Sequence, residues 1–262
     1  MSHFETDTSV IKIGENHWRG NLQKGWRIGE VPNGGYVMAV GARALNEALV
    51  HPHPQVVNAF YLSPTSLGQI DCHVSLLRST RSTSHASVQM IQDGEIKVIL
   101  SAVYVDLSQR AGPTWSSIAT GKTLDWDECD IGANSKLEFR QRVDIRLASG
   151  GEIFRSGRGS GDGKIEGWLA HKDGADPDVT SLLMFADALP PPAFNVFGPV
   201  GWVPTVELTV QIRGVPSPGP IRARLVTQSI TEGVMEEDGT FWDSSGKLVA
   251  ISRQTALIRL NK

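Results

Sequence analysis

Two pairs of turn glycines limit most sharply how this chain can fold. Gly94 and Gly246 stand 152 residues apart, and Gly68 and Gly219 stand 151 apart. Around them one order of elements recurs. Residues 11–28 hold two short patterned runs fit for a hairpin, and Pro32-Asn33-Gly34-Gly35 then opens a helix. Val37, Val40, Gly41, Ala44, Leu45 and Ala48 follow at helical spacing, down to a stop at His51-Pro52. Four strand-like runs come next, at 56–62, 69–77, 83–92 and 95–105, with Gln92-Asp93-Gly94 as a hairpin turn. The second half has runs at 139–147 and 164–171, an apolar helix within 176–189, then runs at 202–213, 220–227, 231–237 and 240–258. This repetition predicts an α+β chain of two copies, each with a central helix wrapped by an antiparallel β-sheet. The expected division is 1–110, a linker at 111–135, and 136–262.

Composition removes several function classes. With 40% hydrophobic and 20% charged residues the chain is globular rather than disordered. A net charge of -3 offers no basic footprint for nucleic acid or an anionic membrane. Cys72 and Cys129 are too few for a disulfide framework or a metal cluster, so no metal and no cofactor are expected. No apolar run approaches membrane-spanning length, and the first residues lack a signal-peptide pattern, so the expected compartment is the cytoplasm. The glycine-rich stretch 156–163 is expected to be the most flexible; with no strand-to-helix pattern around it, a phosphate cradle is not expected.

The copies differ in polarity. At the offset of 152, Ile96, Val98, Leu100 and Ala102 correspond to Leu248, Ala250, Ser252 and Gln254, so an apolar face turns polar. Asp176 is placed to cap the second helix, with Pro177 at its first position and Pro190-Pro191-Pro192 ending it. Seven of the eight residues from Leu182 to Leu189 are apolar and Asp187 is the eighth. A carboxylate so placed is costly unless hydrogen-bond donors receive it. Thr205, just after Pro204, begins the strand expected beneath that helix; Glu207 and Thr209 share its face by alternation and remain candidates for its place. Aspartate, threonine and glutamine in one copy indicate one working site per chain. A satisfied polar network without chemistry is the competing reading.

Four patches carry a resemblance: Pro32-Asn33-Gly34-Gly35-Tyr36-Val37, Phe185-Ala186-Asp187, Pro204-Thr205-Val206-Glu207, and Leu248-Val249-Ala250-Ile251-Ser252-Arg253-Gln254. In order and spacing the chain resembles the double hotdog thioesterases, the type II acyl-CoA thioesterase group. The resemblance implies that Asp187, Thr205 and Gln254 hold and activate a hydrolytic water. It implies an acyl-CoA or acyl-carrier thioester as substrate and leaves room for a homo-oligomer. It departs from the family at the helix start, where Gly-Gly-Gln reads Gly34-Gly35-Tyr36, and at 156–163, which looks like an insertion.

Thioester hydrolysis needs a positioned water, a base and donors for an oxyanion. Asp187 would be the base, with Gln254 and Thr205 holding the water. Asn33, Gly34, Gly35 and Tyr36 are expected to meet the substrate. The Gly34 and Gly35 N–H groups serve there as oxyanion donors or merely permit a tight turn. No GxSxG elbow supports a serine triad. The run from Asp130 to Ser135 does not reproduce the Asp-x-Asn-x-x-His pattern of hotdog hydratases. His51, His53, His73 and His85 are read as surface or edge residues, and the seven tryptophans as tunnel walls or core. Two further functions stay open: a non-hydrolytic acyl-binding protein, and a double hotdog that cyclises or dehydrates a biosynthetic intermediate.

Overall fold

In a computed structural model, which describes residues 1–130, 137–198 and 201–259, the first half follows the expected order. Helix α1 (His3–Thr8) precedes a hairpin of β1 (Ile11–Gly14) and β2 (His17–Leu22). A two-residue pair, β3 (Arg27–Ile28) and β4 (Val31–Pro32), then leads into α2 (Gly34–Ala48). Asn33 caps α2: its side-chain oxygen accepts from the Tyr36 N–H at 2.9 Å, satisfying one orphan donor of the first turn. Strands β5 (His53–Tyr61), β6 (Gly68–Ser79), β7 (Ser84–Gln92) and β8 (Glu95–Val105) follow.

The second half comprises β9 (Val143–Ser149), α3 (Glu152–Ser156), β10 (Lys164–His171), α4 (Val179–Phe185), α5 (Ala193–Phe197), β11 (Thr205–Ile212), β12 (Ile221–Val226), β13 (Ile230–Thr231), β14 (Val234–Trp242) and β15 (Leu248–Leu257). All strands but β3 and β4 join one antiparallel sheet of thirteen strands among the described residues. Its order is β1-β2-β6-β7-β8-β5-β11-β15-β14-β12-β10-β9, with β13 beside β14. Strands β5 and β11 meet at the centre, Leu208 opposite Ala59 and Val210 opposite Val57. Read outward from that seam, 5-8-7-6-2-1 on one side matches 11-15-14-12-10-9 on the other. The turn glycines match as well: φ is 106° at Gly68 and 104° at Gly219, 77° at Gly94 and 81° at Gly246.

The sheet wraps α2 and α4, which pack side by side and antiparallel. Gly35 at the start of α2 meets Asp187 beyond the end of α4, while Arg43 Nη2 lies 2.9 Å from Asp178 at the start of α4. One continuous core joins both halves, from Val40, Leu45 and Leu100 to Leu183, Leu208 and Val249. None of the described helices is long and apolar enough to cross a membrane.

Several expectations need correction. Asp178, not Asp176, caps α4; its carboxylate accepts the Ser181 N–H at 2.6 Å and the Ser181 hydroxyl accepts the Asp178 N–H. Pro177 therefore precedes the cap, and α4 ends at Phe185, which leaves Asp187 on the turn beyond it. The break expected at 238–239 is absent: β14 runs straight through. Asp238-Gly239 resembles a turn, but a Cβ on Gly239 would stand 2.2 Å from Ser252 Oγ, so glycine is there for close approach. In the glycine-rich stretch the Gly161 N–H donates to Asn195 O at 2.9 Å. His51 is buried, bonded to Ser84 Oγ at 2.7 Å and Arg81 O at 3.2 Å.

The segment expected as a linker lies along β10 and β12. Arg222 and Arg224 donate to Gly121 O and Thr120 O at 3.1 and 2.7 Å, and Trp168 Nε1 donates to Leu124 O at 2.9 Å. Beneath it Glu166 is buried and paired with Arg222, Arg224 and Lys164. Residues 131–136, which hold the end of that linker and most of the run compared with the hydratases, lie outside the described residues.

Candidate active site

The turn after α4 carries Asp187 to the start of α2. There the Asn33 amide donates to both Asp187 O and Oδ2, at 2.7 and 2.9 Å, and the Gly35 N–H donates to Oδ2 at 3.0 Å. The Gly34 N–H and the Thr205 hydroxyl also favour its charged form. A helix N-terminus attracts an anion through its free N–H groups and dipole. The approach leaves no room for a side chain: a Cβ on Gly35 would stand 2.6 Å from Met184 O. Burial pushes the Asp187 carboxyl up to about 6, against the pull of Gly35, Gly34, Thr205 and Asn33. Near neutrality such a group can take and release a proton.

Thr205 owes its orientation to a bulge. It pairs with Ala256, whereas Glu207, two residues on, pairs with Thr255, so Val206 is the extra residue. Ala256 is fully buried, and Thr205 shares its inner face. Glu207 and Thr209 turn the other way and bind Asn58 at 2.5 and 2.8 Å. The bulge thus puts Thr205 in the cavity wall, while Glu207 and Thr209 are not among its lining residues.

Gln254 lies on the inner face of β15, 4% exposed, between Leu208 on β11 and Glu237 on β14. Asp187, Thr205 and Gln254 line one cavity of about 630 Å³, although no direct hydrogen bond joins Gln254 to Asp187. Val37, Val98, Phe139, Ile145, Leu189 and Phe194 form much of its apolar wall, drawn from both halves. Of the seven tryptophans only Trp202 is among the lining residues. The Tyr61 hydroxyl donates to Gly34 O at 2.9 Å and, half-buried near Asp187 and Glu207, stays protonated well above its usual range.

The residues expected to meet substrate divide. Asn33 and Gly34 line the cavity, but the polar groups of Asn33, Gly34 and Gly35 are engaged with Asp187. Their N–H groups orient the carboxylate instead of standing open for an oxyanion. Tyr36 is fully buried away from the cavity; its hydroxyl donates to Asp7 O and its ring stacks on Trp26.

Sequence reasoning missed Glu237. It lines the cavity, is 3% exposed, and is held protonated well above the carboxylate range by burial and by Asp187, Glu236 and Asp238. Its signal was alternation across the false break: Met235, Glu237 and Phe241 all point inward.

A helix pair wrapped by one antiparallel sheet, with a buried carboxylate at a helix start, places the chain among hotdog-fold proteins. A hotdog protein of Alicyclobacillus acidocaldarius superposes over all of both chains with a TM-score of 0.88 at 19% identity. Residues 22–105 match the family described as the acyl-CoA thioesterase N-terminal domain, and residues 117–258 match its C-terminal domain. The chain belongs to this acyl-CoA thioesterase family. A Thermobifida fusca protein described as a candidate thioesterase II is similar at 27% identity, with a TM-score of 0.91 over 98% of each chain. An uncharacterised protein of Mycobacterium tuberculosis is 26% identical over 92% of this chain and 90% of its own length.

Proposed function

We propose that this chain hydrolyses an acyl thioester, carried on CoA or on an acyl-carrier group, with Asp187, Thr205 and Gln254 as its catalytic residues. The supporting observation is the Asp187 carboxylate: it is fixed by Asn33, Gly34, Gly35 and Thr205, tuned to about 6, and set in the wall of an apolar cavity beside Gln254. Asp187 takes a proton from water as the water oxygen attacks the thioester carbonyl. The tetrahedral intermediate collapses, the C–S bond breaks, and the thiolate leaves and takes up a proton. With Gly34, Gly35 and Thr205 directed at Asp187, the donor left for the developing oxyanion is the Gln254 amide. The apolar wall suits an acyl chain.

In this reading the chain is a double hotdog, with repeats at 1–110 and 136–262 and a polar site only in the second. The mirrored strand order and the matched turn glycines support it. Incubating purified protein with acyl-CoAs of graded chain length, and following free thiol, tests the activity. Release with at least one chain length is expected; no release from CoA or carrier thioesters would refute it.

A further inference from the structure

Two buried polar groups in the cavity wall lack protein partners. Gln254 Oε1 is closed off from solvent and accepts no hydrogen bond from a described residue. Glu237 makes no hydrogen bond or ion pair with a described residue either. The two stand directly opposite each other in the β14–β15 ladder, so their Cβ atoms are about 4.5–5.5 Å apart on one face. One lacks a donor and the other lacks an acceptor.

The electrical surroundings of Glu237 fix which it is. Its strand neighbours Glu236 and Asp238 face the opposite side, where they bind the Gln228 and Ser229 N–H groups and Arg253. Asp187 acts on it from the turn beyond α4, and Gln254 on β15 is neutral. A buried carboxyl with only acidic influences and no cation keeps its proton. It therefore has an O–H to give.

We infer that Glu237 is a positioning residue: its carboxyl O–H donates to Gln254 Oε1 and so turns Gln254 Nε2 toward the cavity and Asp187. An amide whose oxygen has no donor gains nothing from one orientation over its flip, and the flip would aim a carbonyl at Asp187 and at the oxyanion. The first half supports pairing as a unit. Ala102, in the place of Gln254, stands opposite Ala86 in the β7–β8 ladder. Where the glutamine is absent, so is the acid.

The inference rests on the thioesterase reading, and two measurements separate their fates. In the first, kcat and KM of the full chain are followed against pH for Glu237→Gln and Glu237→Leu. Parental kcat should fall in alkaline solution, as Glu237 ionises beside Asp187. The glutamine variant, which keeps a donor and cannot ionise, should stay within about threefold of the parent and lose that alkaline fall. The leucine variant should lose up to about 10²-fold in kcat with little change in KM. Parental kcat in Glu237→Leu, with the alkaline fall intact, would overturn the inference. The second measurement needs no turnover: infrared titration of the folded protein, assigned with Glu237→Gln. A protonated-acid band should persist above neutral pH and shift in Gln254→Ala. No shift would overturn the pairing while leaving the hydrolytic reading untouched; a shift without thiol release would do the reverse.

Discussion

Asp187→Asn separates basicity from geometry. The asparagine oxygen can still accept from the Gly35 N–H and the Asn33 amide, so the turn after α4 should hold its place. What is lost is the proton acceptor, and removing a general base lowers turnover by about 10²–10⁴. With the parental carboxyl at about 6, activity should rise roughly tenfold per unit below that pH and level off above it. The variant should show no such limb. Stability should move the other way. A carboxyl at 3.8 when unfolded and about 6 when folded favours the fold fully below 3.8, and that advantage disappears as pH rises through 6. The resulting burden at neutral pH is about 3 kcal/mol. Asp187→Asn removes it, so the variant should melt at or above the parental temperature near pH 8 and show no gain near pH 4. The assays are thiol release from acyl-CoA across pH and thermal unfolding at both pH values. Parental turnover, or a parental rate that is flat through pH 6, would refute the role assigned to Asp187.

Gly35→Ala should damage fold and activity together, because the new Cβ would stand 2.6 Å from Met184 O and 3.0 Å from Asp187 Cβ. Overpacking of this kind destabilises by about 1–3 kcal/mol, readable by denaturant unfolding, and displacement of Asp187 should lower kcat. Arg222→Met should act on stability alone: it removes one of the three cations on buried Glu166, whose Nε–Oε1 contact is 2.8 Å, and releases Gly121, while Arg224 and Lys164 remain. A loss of about 1.5–3 kcal/mol, faster proteolysis near residue 121 and unchanged kcat are expected, since Arg222 does not line the cavity.

How much was legible follows from how each signal is encoded. Helix α2 was readable because Asn33 and its small apolar face are local, and β10 because its limits are set by its own residues. Asp187 and Gln254 stood out as polar residues on otherwise apolar faces. Thr205 could not be separated from Glu207 and Thr209, because alternation assumes an unbroken period of two and a bulge is fixed by the partner strand. Glu237 was hidden by Asp238-Gly239, which reads as a turn until Phe241 and Ser252 are seen crowding it. The employment of the Gly34 and Gly35 N–H groups was equally invisible, since their partner lies 152 residues beyond Gly35. Long-range partners decide these details, and one strand or helix alone does not contain them.

The antiparallel helix pair also bears on the proposal of a single site per chain. Each of its ends sets a carboxylate at a helix start, Asp187 across from α2 and Asp178 as the cap of α4 itself. At one end Asp187 receives neutral donors only, so burial prevails and its carboxyl rises to about 6. At the other, Asp178 is nearly half exposed, and Arg43 and the Ser181 N–H and hydroxyl hold it below the usual carboxylate range. A salt-bridged cap remains ionised and cannot exchange protons near neutrality, whereas an unpaired carboxylate can. The first half then needs no polar partners, which fits Ala86 and Ala102 where the second half has Glu237 and Gln254. On the proposed reading, the charge of Arg43 on Asp178 is one reason that end would carry no site.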